Sequence, residues 1–324
     1  MTAWNGNGLP PAAAARIARA GTDSVRGSLL SVPSTLGVES VGFRAVGEVM
    51  GSTVMHLGWS GYGGCGYYQG GFGQPGYRQS GFAGPLSGGS PTGLSWKGQP
   101  GTVTSGNNQG RYSFSGYQPY VQALRWAYET ALWRMSAEAA ALGAHGIIGI
   151  TIRRAHVGVE NHEFIAMGTA VQAPMVAPIN RIFRSDLDGA DFSKVLTSGY
   201  IPVDLAFGFS VGVRHDDYVT QQQSSRFFSG NTEVTGYTDL VQAVRADARQ
   251  DFAETGGADG SHFAVISHMS LDIREYEPND GHRDHIAEAT VFGSTLLGFP
   301  RSVPQVSPPL TIMNLTDRTG RSST

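Results

Sequence analysis

Histidine and carboxylate recur together at the turns of this sequence, a combination suited to holding a transition metal. His156, Glu160, His162 and Glu163 fall in "RRAHVGVENHEF", and Asp280, His282, Asp284 and His285 fall in "REYEPNDGHRDHIAE". Imidazole with carboxylate suits zinc, nickel or copper, and copies converging on a symmetry axis would complete a coordination shell. A second set follows a strand pattern: His215, Asp216 and Asp217 in "VRHDDY", with His56 after the corresponding strand in "VMHLGW". None of these spacings is that of a closed zinc site, and polar hairpins are ordinarily just solvated. A solvated turn is therefore the expectation, with a divalent transition metal as the alternative to test.

Other reactive groups point to no reaction. The chain lacks a P-loop, a G-x-S-x-G elbow, an H-E-x-x-H pair and a dinucleotide fingerprint after a strand, so it reads as non-enzymatic. Ser261 stands beside His262, but neighbours on a strand face opposite ways. An enzyme whose pocket forms between subunits is the competing class. Cys65, the one cysteine, excludes an intrachain disulfide and fits a reducing cytoplasm. The 324 residues carry a net charge of −3, which gives no bulk attraction to nucleic acid or to a membrane surface. No apolar run reaches the roughly 18 residues of a membrane span.

The elements that must position these groups come twice. "GFRAVGEVMGSTV" and "GYIPVDLAFGFSV" align with Gly42 on Gly199, Val46 on Val203 and Gly51 on Gly208. Each strand leads to a helix pattern that stops near glycine, Gly143 in one copy and Gly256–Gly257 in the other, and then to two more strands. The fold class expected is α+β: two tandem β-α-β-β repeats, each with a long helix packed on an antiparallel sheet. Ser185 or Asp186 is the expected N-cap of a short helix ahead of the second copy. The expected organisation is a flexible tail over 1–33, a first repeat over 34–173, a linker over 174–184, a second repeat over 185–299 and a flexible tail over 300–324. An insert at 58–117, rich in glycine and aromatics, interrupts the first repeat as a mobile loop able to stack on a ligand or a protein partner. Its Arg78, Lys97 and Arg111 are too few to bind nucleic acid.

The first long helix carries two apolar stripes. Leu124, Ala127, Ala131, Met135, Ala139 and Leu142 form one, and Trp126, Trp133 and Ala137 the other. One sheet needs one stripe, so the second implies another repeat or another subunit. Leu124, Trp126, Trp133 and Met135 are accordingly the expected assembly residues. Where the helix turns into the next strand, the corner holds His145 in the first copy and Asp259 in the second, and a hinge accounts for it better than a chemical site.

The segment "YVQALRWAYETALWRMSAEAAALGAHGIIGITI" resembles the YbjQ-like family, labelled heavy-metal-binding, through Tyr120, Leu124-Arg125, Ala127, Glu129, Ala131 and Ala141-Leu142-Gly143-Ala144. "GEVMG" and "MGTAV" are similar to that family's first and last strands, and the second copy is similar more weakly, through "GGADG". The resemblance implies a dodecin-like β-α-β-β subunit that joins five-fold rings, hence a homo-oligomer, and no known reaction. Five positions cannot be filled by whole two-repeat chains in one ring. Either each repeat forms its own ring and the rings stack, or the symmetry has changed.

Overall fold

Two glycines set how closely helix and strand meet. Gly51 lies in β1 (Arg44–His56), and a Cβ built there would overlap Ala131 O and Met135 N of α3 (Gln118–Ala141). Gly208 lies in β5 (Tyr200–His215), and its Cβ would overlap Ala248 O and Phe252 N of α6 (Thr235–Gly257). Helix backbone rests directly on strand backbone at both places, a separation that only glycine permits.

The computed structural model describes residues 9–22, 27–57, 118–158, 161–173, 181–225, 230–257, 260–279 and 282–299. Around each glycine contact the elements follow one order. In the first half α2 (Val32–Ser40) precedes β1, and β2 (Gly146–His156) and β3 (Asn161–Gln172) follow α3. In the second, α4 (Gly189–Thr197) precedes β5, a short α5 (Tyr218–Ser224) precedes α6, and β6 (Phe263–Asn279) and β7 (His282–Gly298) close the unit. The sheets have matching antiparallel orders, β1-β3-β2 and β5-β7-β6. Local devices recur as well. Ser31 and Asp188 cap α2 and α4 by accepting from Ser34 N and Asp191 N. Gly42 and Gly199 take positive φ before β1 and β5, and Gly143 and Gly260 take it after α3 and α6.

α3 is shared by both halves. Leu124, Ala127, Ala131 and Met135 are buried against the first sheet. From the other side of the helix, Tyr128 stacks on Phe207 and Phe209 of β5 at 5.7 and 5.5 Å. The partner implied by a second stripe is thus the other half of the chain, but it is met by Tyr128 rather than by tryptophan. Leu124 and Met135, expected at an assembly interface, are occupied inside the chain. Trp126 remains 46% exposed and Trp133 half-buried.

Several expectations need revision. α1 (Pro11–Thr22) lies where a tail was expected; its Arg16 donates to both Glu138 oxygens at 2.8 Å. Glu138 is buried on α3 and needs that cation. The N-cap of α4 is Asp188, because Ser185 and Asp186 are engaged by Ser294 of β7. α6 continues through Gly256, where a Cβ would meet Ala264, Thr295 and Ala206 at ordinary contact distance. The left-handed cap belongs to Gly260 instead. Finally, the expected linker ends in β4 (Phe183–Arg184), which pairs parallel with the edge of β2. Asp204 of β5 fastens that strand: burial opposes its ionisation, but Arg184 and Arg181 hold its carboxyl below the usual range. The insert at 58–117 and residues 300–324 lie outside the described residues.

Replacing Gly51 or Gly208 with Val should cost at least about 1–3 kcal/mol by overpacking a backbone contact. Gly230→Ala, with nothing within 4 Å of its Cβ, should be near neutral. Urea denaturation of the three variants checks this.

Candidate functional site

α3 covers only the β5 side of the second sheet's inner face. The β6 side is left as the wall of a cleft of about 560 Å³ between the two halves. Ile152, Arg154 and His156 of β2 form one side; His268, Ser270, Asp272 and Arg274 of β6 form the other; Tyr128, Phe207 and Phe292 supply aromatic surface. Strand alternation explains the set, since β6 residues two apart share a face.

A buried ionic knot adjoins this cleft. Glu288 of β7 is 6% exposed and accepts from Tyr120 at 2.7 Å, Arg154 at 2.6 Å and Arg274 at 3.0 Å. Arg154 Nη2 also donates to the Tyr120 hydroxyl at 3.0 Å. Burial, with the Glu288 charge beside it, pushes the Tyr120 hydroxyl up to about 12, so it stays a donor. Arg154 Nε donates to His162 Nδ1 at 3.2 Å. Burial, then Arg154 and His156, push the His162 imidazole down to about 4. Each Glu288 oxygen is already engaged by cation or hydroxyl. The carboxylate bolts the first half to the second and is not poised as a general base.

The sequence candidates for metal fall into separate pairs. His56 Nδ1 lies 3.3 Å from Asn161 Oδ1 at the end of the β1–β3 ladder. His156 and His162 face each other across the hairpin with ring centroids 4.4 Å apart, and the Arg154 guanidinium beside them opposes a metal cation. His285 Nδ1 donates to Asp216 Oδ1 at 3.1 Å, while Tyr237 donates to Asp216 Oδ2 at 3.1 Å. Asp217 is the N-cap of α5 and Asp284 is buried opposite His215 in the ladder. Among the described residues no three His, Cys, Asp or Glu side chains converge to hold a metal ion. These donor sets do not fit a metal; Asp280 and the side chains of His215 and His282 lie outside what is described.

The corner histidine has a clear task. Ala173 N donates to His145 Nδ1 at 3.1 Å, tying the end of the first sheet to the start of β2. Its counterpart in the second half is His262: Gly298 N donates to His262 Nδ1 at 3.2 Å, and both histidine backbones donate to the neighbouring strand, at Val171 O and Leu296 O; Asp259 lies outside the described residues. The corner is a hinge used twice. Sequence reasoning missed Glu288, Arg154 and Arg274 as functional groups. The available signal was a lone acid in the apolar run "HIAEATVFG" and an arginine continuing "GITI".

Because the native state keeps His162 neutral down to about pH 4, while an unfolded histidine protonates near its ordinary 6.5, stability should fall as pH drops through that window. His162→Gln should flatten part of the slope. Thermal melts from neutral to acid pH test this, and an unchanged slope would contradict it.

Comparison with known proteins adds two findings. The chain is 32% identical over 159 residues to the encapsulin nanocompartment protein Rv1762c of Mycobacterium tuberculosis, which covers 44% of this chain and 58% of that protein. The chain thus spans little more than half the length of that relative. No solved structure matches. Residues 111–174, which hold α3, β2 and β3, match the YbjQ-like family, described as "putative heavy-metal-binding".

Proposed function

We propose that this chain is a non-enzymatic assembly protein that associates with copies of itself, its second half being a second unit of the kind matched by the first. One observation carries the reading. β6 is a 17-residue edge strand on which Phe263, Val265, Ile266, Met269 and Ile273 are all 40% or more exposed. A long apolar edge strand left open is a template for pairing with another chain, and proteins ordinarily cover it. The matching edge of the first sheet is covered, by β4.

The relative's name, an encapsulin nanocompartment protein, supports a role in an assembly. Shared element order, glycine contacts and strand order support the tandem reading. The five-fold ring implied by the family resemblance is the form of assembly to test. The cytoplasm is the proposed location, on the strength of a single cysteine. Among the described residues no helix is long and apolar enough to cross a membrane.

Native mass spectrometry of untagged protein, with and without chelator, decides between assembly and metal binding. Assembly predicts a discrete multiple of 34.3 kDa with no metal adduct. A single-chain mass at micromolar concentration, or a stoichiometric metal that chelator removes together with the oligomer, would overturn the proposal.

A further inference from the structure

The two halves meet in a junction that the chain itself repeats, but only half of it is used. In the first half, the outer edge of β2 is occupied by the segment leading into α4. Phe183 N donates to His145 O, Ser185 N to Ile147 O, Gly149 N to Leu187 O and Ile150 N to Ser185 O, at 2.8–3.2 Å. These bonds run parallel to β2, with Ile147 registered on Arg184. Covered in this way, Ile148 is 0% exposed; the residue at its place in the second sheet, Val265, is 40% exposed.

The covering segment has its own counterpart, residues 27–30 ahead of α2. Leu187 N donates to Ser185 Oγ and Leu30 N to Ser28 Oγ, both at 3.2 Å. Asp186 N donates to Ser294 Oγ on the central strand of its own sheet, and Leu29 N donates to Thr169 Oγ1 on the central strand of the other, both at 3.1 Å. The two segments therefore hold the same local shape against their own sheets. Residues 183–187 use their remaining backbone groups to complete the neighbouring sheet. Among the described residues, nothing pairs in that way with 27–30, which are exposed except for the half-buried Leu30.

We infer that the open edge of β6 is completed by residues 27–30 of a second copy of this chain, in the parallel register that 183–187 adopt on β2. The inference rests on the self-association proposed above and names its interface. The edge belongs to the second half and the segment that fits it to the first, two different surfaces, so the contact is head-to-tail. It closes as a ring if the rotation permits and extends as a filament if it does not. Where it closes, both repeats alternate in one ring, with two repeats for every chain, rather than in two stacked rings. The contact between copies is not a perfect replica of the one inside the chain. Phe207 and Phe209, which press on Tyr128, have Met50 and Ser52 at the corresponding places, and Tyr128 has the exposed Arg245. That portion is more polar, as befits a joint made between separately folded chains.

In register, Ala264 stands where Ile147 does and Gly27 where Arg184 does. The test uses the full chain with Cys65→Ser, Gly27→Cys and Ala264→Cys under mild oxidant, read on a non-reducing gel. The expected result is a ladder of multiples of 34.3 kDa that reductant collapses, absent from either single variant. Ser28→Cys with Val265→Cys provides a second adjacent pair should the first disturb folding. Crosslinked dimers from Ala264→Cys alone would mean β6 pairs with β6, and would overturn the inference. An unlinked double variant of both pairs that is still oligomeric by native mass spectrometry would overturn it too while leaving self-association intact. Unlinked single chains would remove both.

Discussion

Helix and sheet in this protein touch backbone to backbone, and everything else depends on that closeness. Gly51 beneath Ala131 and Gly208 beneath Ala248 let each long helix sit low on its strand. A helix seated that low places its small residues, Ala127, Ala131 and Ala139, inward and leaves its bulkier ones to meet other surfaces. On α3 those bulkier residues are Tyr120 and Tyr128, and they join the two halves. Tyr128 stacks with the phenylalanines of β5, and Tyr120 reaches the Glu288 knot. The same closeness on α6 has a different consequence, because its outer face carries Arg245 and Arg249 and stays exposed.

The ionic knot is better understood as a specifying device than as a source of net stability. Burying Glu288 costs desolvation that Arg154, Arg274 and Tyr120 largely offset, and an apolar substitute of like shape could be as stable. The knot does penalise any other docking of the halves, since misplacement would strand a buried carboxylate. It also engages the titratable groups beside the cleft. His162 is kept neutral by burial and by its arginine neighbour, and Glu288 has no oxygen to spare.

Much of the architecture was readable in the sequence, for identifiable reasons. Gly51 and Gly208 aligned because both answer the same steric demand, and the α3 stripe from Leu124 to Ala139 was visible because one sheet buries it. The register of the second corner was misread because Gly256 and Gly257 look like a helix stop. In fact the helix runs on through Gly256, which stands in the place of Ala139, and two further residues separate Gly257 from the true cap. β4 was not readable, since two residues of strand have no periodicity and pair only because β2 offers an edge. Arg16 on Glu138, and Arg154 and Arg274 on Glu288, are pairings across long separations that no local pattern encodes. Of the histidines whose spacing suggested ligands, His56 faces Asn161 and His285 donates to Asp216, partners that no local pattern predicts.

The tandem arrangement ties these points to assembly. On the proposed tandem reading, each sheet edge is completed by the lead-in of the next unit, and among the described residues one edge and one lead-in are left over. Amide hydrogen exchange at rising protein concentration addresses this most directly, followed in peptides covering 262–267 and 27–30. Self-association through those segments predicts that both gain protection together as copies associate and lose it together on dilution. Equally rapid exchange in both peptides at every concentration would contradict it.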